Sequence, residues 1–461
     1  MSRHAKNSEP LTPVERKAIT GLASIYGFRM LGLFLVLPVF ALYAEKLDGA
    51  TPLLIGLAVG MYGLTQAILQ IPFGLLSDRI GRKPVILAGL LLFAIGSVIA
   101  ALAEDIWLIL IGRAVQGSGA IAAAVMALAA DLTRDSKRTR AMATIGMTIG
   151  AAFAVSLMAG PYLDQLIGIS GIFWMTAVFA VLGMLVIWLV VPTPEKQPVH
   201  REAQTVPEAF SRILQNTELL RLDWGIFSLH LILTAMFLSV PLLLRDLGLP
   251  QAEHSLLYLV VLGISVVIMV PFIILAEKKG KIKAVFSGGI AAIALASLLL
   301  FSAGTSWLLA AAFLTLFFTG FNLLESLLPS LVSKTAPVDA KGTAMGVYST
   351  GQFLGGFLGG LIGGLVHQYL GYEWVFAACL VIALLWLMVA LTMKHPGQYS
   401  SRVIDLEGLS EQKISGLSVK LQSLKGVVEA VVIPTEEVVY LKVDRKQFNE
   451  NELEILLVGS N

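Results

Sequence analysis

The chain has 461 residues, of which 56% are hydrophobic and only 14% charged, against about 25% charged in ordinary globular domains. That is a membrane composition, and the net charge of +2 says little until each charge is assigned a side. The one cysteine, Cys379, lies inside an apolar run, which excludes an internal disulfide, a cysteine-rich metal site and a redox pair.

The opening stretch, Met1 to Val14, is polar, and the first apolar run continues past Arg29 to Ala44. A run that long predicts an uncleaved spanning helix, not a signal peptide. About 20 apolar residues cross a hydrocarbon core. Twelve runs of that length begin near Lys17, Pro52, Pro84, Ile106, Arg140, Ile172, Leu219, Pro250, Lys283, Ser306, Lys341 and Glu373, here called spans 1 to 12. Most connections are short, so neighbouring spans run antiparallel and alternate loops share a side. With that topology 21 Lys and Arg fall on one face and only Lys46 and Arg245 on the other. The imbalance predicts that both termini are cytoplasmic.

Between spans 2 and 3 stands Gly74-Leu75-Leu76-Ser77-Asp78-Arg79-Ile80-Gly81-Arg82-Lys83-Pro84. A turn this short cannot cross a bilayer, so Gly81 is expected to reverse the chain with a positive φ. The stretch is repeated. Ile71-Pro72-Phe73 and Leu76 to Arg82 align without a gap with Val270-Pro271-Phe272 and Leu275 to Lys281, at an offset of 199 residues. Two six-span halves related by duplication follow, with the binding site between them near the midplane. Residues 193–217 are polar and proline-rich, with Val206, Ala209, Phe210, Ile213 and Leu214 at helical spacing, which predicts a linker helix lying on the inner surface.

After Pro396 the composition turns soluble. Val403 to Leu406, Val427 to Ile433 and Val438 to Val443 read as strands. Ile414, Leu417, Leu421 and Leu424 mark a helix, and Gln447 to Leu457 reads as a second one. The predicted fold is therefore an all-α membrane protein of twelve transmembrane helices in two pseudo-symmetric six-helix bundles (1–192 and 218–395), with a small α+β (βαββα) domain over 399–461.

The loop is similar to the signature of the major facilitator superfamily, a glycine, a spacer, leucine, aspartate, arginine, glycine, arginine and lysine pattern that Gly74, Leu76, Asp78, Arg79, Gly81, Arg82 and Lys83 all match. The tail resembles the ferredoxin-like domain appended to some members. Glu407-Gly408-Leu409-Ser410 carries no Cys-x-x-Cys, which argues against soft-metal binding. The resemblance implies an inner (cytoplasmic) membrane transporter of the proton-coupled, drug-antiporter-like branch. It would act as a monomer in lipid on protons and a small molecule, with the proton gradient as energy source and no cofactor, metal or nucleic acid. No nucleotide loop, HExxH or catalytic triad is present, so no enzyme activity is expected.

In that fold spans 1, 4, 7 and 10 line the central cavity. The charged or titratable residues well inside the apolar runs are Arg29, Arg113, His230 and Glu325, one on each of those spans, and such residues are costly enough to be functional by default. Glu325 is the expected proton carrier, since a carboxyl alternately dried and wetted can bind and release a proton. A structural bridge from Glu325 to His230 or to an arginine is the competing role. His230 has a ring suited to titration and is equally well read as merely hydrogen-bonded. Arg113 and Gln116 match a span 4 motif tied by resemblance to proton coupling, while a backbone-binding role for Arg113 stays open. Arg29 is read as an anion site or as a source of potential at Glu325, and Asn322 is placed in the same cavity.

Gly160-Pro161 matches part of the span 5 drug-antiporter signature, but Leu163-Asp164-Gln165 departs from it, with Asp164 read as a wetted rim residue. In span 11, Gly351, Gly355, Gly359 and Gly363 repeat every four residues and are expected to slide against span 2. By resemblance Arg82 should pair with Asp131, and Asp78 should meet the positive end of span 11. Both contacts are expected only when the cytoplasmic faces of the halves are together. Proton-driven export, proton-coupled import of an anion, and a sensor signalling through the tail are the three functions carried forward.

Overall fold

The computed structural model describes residues 10–194, 206–302, 306–337, 340–394, 399–405, 420–433, 438–444, 447–449 and 452–453. Its helices are α1 (Pro13–Phe34), α2 (Phe40–Ala44), α3 (Pro52–Ile80), α4 (Arg82–Ala101), α5 (Ile106–Ser118), α6 (Ala122–Asp131) and α7 (Asp135–Leu189). They continue with α8 (Val206–Gln215), α9 (Thr217–Asp246), α10 (His254–Lys278), α11 (Ile282–Phe301), α12 (Trp307–Thr335), α13 (Lys341–Leu370) and α14 (Glu373–Leu391). Among the described residues, ten helical stretches are long and apolar enough to cross a membrane. The stretch within α7 is more than twice that length and turns at Gly168, whose φ of 65° suits a residue without Cβ. Helix α1 begins with a capping box: Thr12 accepts from the Glu15 amide while Glu15 accepts from the Thr12 amide.

The duplication is visible in atomic detail. Gly81 and Gly280 both take positive φ, 101° and 67°. Just beyond them, Lys83 Nζ donates to the Val191 carbonyl at 2.5 Å, and Lys283 Nζ donates to the Leu391 and Met393 carbonyls at 2.8 and 2.6 Å. Each lysine thus caps the last carbonyls of the final helix of its own half, where a cation also meets the negative helix end. The linker helix α8 forms as expected and buries Ile213 completely.

The tail holds an antiparallel sheet of β1 (Tyr399–Asp405), β2 (Val427–Ile433) and β3 (Val438–Asp444) in the order β1–β3–β2. Strand β1 starts four residues earlier than the sequence suggests, because Tyr399 already pairs with Asp444. Val439, Leu441 and Val443 alternate into a small core with Leu421, Ala430 and Leu453. Lys442 points the other way, is 8% exposed, and donates to the Thr335 and Ala336 carbonyls at 3.0 and 3.2 Å, the end of α12. Ile414, Leu417, the Glu407 to Ser410 loop and most of the second predicted helix lie outside the described residues.

Candidate functional site

The first half carries a buried polar cluster built on α1, α3, α4 and α5. Arg29 is 1% exposed and donates through Nη2 to Gln66 Oε1 at 2.6 Å, and Gln66 Nε2 donates to Gln70 Oε1 at 3.3 Å. Its Nε and Nη1 are buried without a hydrogen-bond partner among the described residues. Arg113 donates to Gln116 Oε1 at 2.9 Å, and Gln116 donates to Ser97 Oγ at 2.8 Å. The rest of the Arg113 guanidinium meets the Ala58 and Val59 carbonyls of α3, each at 3.4 Å. Both guanidiniums also lie over the Tyr62 ring, Arg29 at 5.8 Å and Arg113 at 5.2 Å from its centroid. Glycines make this approach possible: a Cβ at Gly96 would stand 2.4 Å from the Gln116 amide nitrogen.

The second half carries the other cluster, on α9, α12 and α13. His230 Nδ1 lies 3.3 Å from the Ile226 carbonyl, and Nε2 lies 2.8 Å from Gln352 Nε2. Those partners fit one neutral tautomer, in which Nδ1–H donates to the carbonyl and Nε2 accepts from the amide. Glu325 Oε2 sits 3.9 Å from His230 Nε2 and is itself buried without a hydrogen-bond partner among the described residues, while the side chain as a whole is 36% exposed. Asn322, expected in the cavity, instead donates to Ser265 Oγ of α10 at 3.1 Å and ties two helices of one half together. The four intramembrane groups therefore form two clusters, one per half, and among the described residues neither Arg29 nor Arg113 reaches Glu325.

Sequence reasoning missed Tyr62, Gln66, Gln70, Tyr348, Gln352 and Asp223. The signal was available: Gln66 and Gln70, and Tyr348 and Gln352, are four apart, and Asp223 stands seven before His230 on the same helical face. Both Asp223 oxygens and the Tyr348 hydroxyl are buried without hydrogen-bond partners among the described residues.

At the signature loop, Arg82 binds Asp78, donates to Ser77 Oγ at 2.8 Å and reaches Asp131 Oδ2 at 3.3 Å. The Arg82–Asp131 pair forms as expected, but both residues belong to the first half. The contact is therefore present with the opposite face sealed and does not require the two loop faces to meet, which corrects the expectation. Asp78 has no partner on α13 among the described residues, Arg79 is exposed, and Gly74 packs on Ala123.

The halves are zipped together on the side away from the Gly74 to Lys83 loop. A Cβ at Gly56 would lie 2.1 Å from the Gly360 carbonyl oxygen, and one at Gly364 2.7 Å from the Pro52 oxygen. Arg245 bridges to Glu45 at 2.7 Å, Gln251 donates to Asp164 at 2.7 Å, and the Leu53 amide donates to Gln368 at 3.3 Å. Asp164 is thus an interhalf strap and not just a rim residue. Deeper in, Tyr62 meets Phe353 and Phe153 meets Phe321 across the interface. The glycine prediction needs one correction. Gly355, Gly359 and Gly363 face Phe227, Leu231 and Ala235 of α9, with Gly351 beside Asp223, so this row packs inside the second half. Gly360 and Gly364, a neighbouring row, meet α3, because residues one apart on a helix face about 100° away from each other. Gly160 abuts the Leu35 carbonyl and Pro38 where α1 ends, beside Pro161.

The chain matches the Major Facilitator Superfamily model over residues 22–360 and 337–428, and the YajR YAM domain model over 403–459. It is 47% identical over 449 residues to the inner membrane transport protein YajR of Escherichia coli (strain K12), covering 97% of this chain and 98% of that one. It is 25% identical over 330 residues to multidrug resistance protein MdtH of Yersinia pestis (strain Pestoides F), covering 70% and 80%. Among solved structures, a bacterial homologue of the human lysosomal transporter Spinster, inward-facing and occupied, superposes with a TM-score of 0.70 at 12% identity, over 84% of this chain and 98% of that one. The human organic anion transporter MFSD10 gives 0.60 at 20% identity, over 82% and 100%. At those identities the likeness is one of fold.

Proposed function

Because the chain belongs to the major facilitator superfamily, we propose that it is a secondary active transporter that exports a small molecule in exchange for protons by alternating access. Twelve spans result when α1 with α2 counts as one and α7 as two meeting at Gly168. The charge imbalance supports a cytoplasmic position for the termini and for the Gly74 to Lys83 loop. The strand order β1–β3–β2 supports a ferredoxin-like tail.

The observation that carries the proton coupling is Glu325. It is an intramembrane carboxyl with one buried oxygen that has no hydrogen-bond partner among the described residues, beside an imidazole already engaged by Gln352. Such a group holds a proton while dry and releases it when the cavity wets, which lets proton influx bias the rocking of the halves. Each charge moved across the field is worth about 2.3 kcal/mol per 100 mV. The name of MdtH supports export of drug-like compounds. In proteoliposomes with a trapped pH dye and an imposed gradient, a transported compound should collapse the gradient, and Glu325→Gln should abolish that response. A compound that is carried while the gradient stays untouched would overturn the coupling.

One observation favours a second reading, proton-coupled import of an anionic solute: Arg29 keeps two buried nitrogens without hydrogen-bond partners among the described residues. The same assay separates the two, since symport and antiport move protons in opposite directions relative to the compound.

A further inference from the structure

Between the sealed face and Glu325 runs a line of ring contacts that crosses from one half to the other. Phe153 of α7 meets Phe34 of α1 edge-on at 5.1 Å, and Phe321 of α12 at 5.7 Å, between ring centroids. Phe321 in turn lies 6.1 Å from the His230 ring of α9. These separations are those at which aromatic rings attract each other. Helix α12 comes from the sealed face at Trp307, so Phe321 stands about 6 Å nearer that face than Glu325, one turn further on. Phe321 is 3% exposed, against 36% for the Glu325 side chain. The Phe153–Phe321 pair therefore roofs an acid that is open on its other side.

His230 shows what this roof holds. Its Nδ1 is turned to the Ile226 carbonyl and its Nε2 takes the Gln352 amide, so the neutral ring has no donor left for Glu325. The gap from Nε2 to Glu325 Oε2, 3.9 Å, is too long for a hydrogen bond. Asp223 and Tyr348, the other ionisable side chains of this region, hydrogen-bond to neither group among the described residues. The ring that packs on the imidazole is Phe321, and Phe321 is braced by Phe153 from the opposite half.

We infer that Phe321 is a positioning residue that passes the closure of the sealed face to His230. With Phe153 seated on Phe321, the imidazole stays on Gln352 and off Glu325. When the halves part at that face, Phe153 leaves with the first half and the imidazole is free to turn. The acid proton then moves from Glu325 Oε2 to His230 Nε2, leaving a carboxylate beside an imidazolium with the total charge unchanged. With the face sealed that partner is withheld, and the proton leaves through the exposed side of the carboxyl. The inference rests on the reading of Glu325 as a proton carrier and ties its release to the state of the opposite face.

Nitrogen-15 NMR of the histidine-labelled full chain in nanodiscs tests it, with the His230 signals assigned by their loss in His230→Gln. The parent should show one bare and one protonated ring nitrogen. Phe153 has no ring contact with His230 among the described residues, so its removal acts from a distance. Phe153→Ala should raise the fraction of His230 with both nitrogens protonated about 2–12-fold, the bias that one aromatic pair supplies. Adding Glu325→Gln should cancel that rise. Phe153→Leu removes the ring with less loss of volume and gives the same reading if the alanine variant does not fold. Phe286→Leu, which alters a buried ring packed on Trp386, should leave His230 as in the parent. An unchanged His230 signal in the folded Phe153 variants, or an equal change in Phe286→Leu, would overturn the transmission and leave the carrier reading standing. A labelled Glu325 carboxyl carbon whose signal ignores pH would sink the carrier reading itself.

Discussion

Adding one methyl group at Gly56 should push the protein out of the state described here. In that state a Cβ at position 56 would lie 2.1 Å from the Gly360 oxygen and 2.9 Å from Gly364 Cα, both backbone atoms that cannot rotate away. Ordinary contact begins at 3.4 Å, so α3 and α13 must separate by about 1.3 Å (3.4 less 2.1) for Gly56→Ala to fit. Overpacking of this kind costs about 1–3 kcal/mol, which shifts the balance between sealed and unsealed forms by about 5–150-fold. Spin labels on Lys46→Cys and Tyr369→Cys report it, because both positions are exposed and lie on opposite halves at the sealed face. Native Cys379 is fully buried and should stay unlabelled. Pulsed electron resonance in nanodiscs should show one short distance for the parent and a substantial longer component for Gly56→Ala. Gly346→Ala, where a Cβ meets nothing within 4 Å, should match the parent. Identical distance distributions for folded Gly56→Ala and the parent would refute the idea that this glycine contact holds the face shut.

Replacing Gln116 with Leu removes the link between Arg113 and Ser97, leaving the buried Arg113 Nη1 without its acceptor and Ser97 Oγ without its donor. It should lower thermal stability by about 1–3 kcal/mol, read as a drop in the unfolding midpoint in detergent. Glu45→Gln breaks an exposed bridge to Arg245 and should change the same spin-label distances only slightly, because such pairs are worth about 0.2–1 kcal/mol. Lys442→Met removes the two hydrogen bonds from the tail to the end of α12 and should raise amide exchange around residues 335–341 while the sheet stays protected. Lys83→Met and Lys283→Met should each destabilise its own half, detected by limited proteolysis as new cleavage within residues 13–189 and 217–391 respectively.

The long spans, the duplication and the loop were legible because each is written in a local pattern: twenty apolar residues, a constant offset, a glycine that must take positive φ. The site was legible one residue at a time. Buried charge marked Arg29, Arg113, His230 and Glu325, yet nothing in the chain says that Arg113 would spend its donors on Ala58 and Val59 carbonyls. Neutral polar pairs such as Gln66 with Gln70 and Tyr348 with Gln352 went unread because they carry no charge, although a spacing of four sets each pair on one helical face. Asp223 was overlooked because it stands only a few residues after the charged pair Glu218 and Arg221, where a wet helix end is the ordinary expectation. The glycine row of α13 was assigned to the wrong neighbour, since periodicity identifies a face and leaves open which helix it meets.

The tie from Lys442 has a mechanical meaning. It grips the last carbonyls of α12, and Glu325 rides on that same rod ten residues, or about 15 Å, away. Should the rod tilt or slide, the appended sheet must travel with it or let go. Any displacement of α12 is thereby shared with the sheet of the tail.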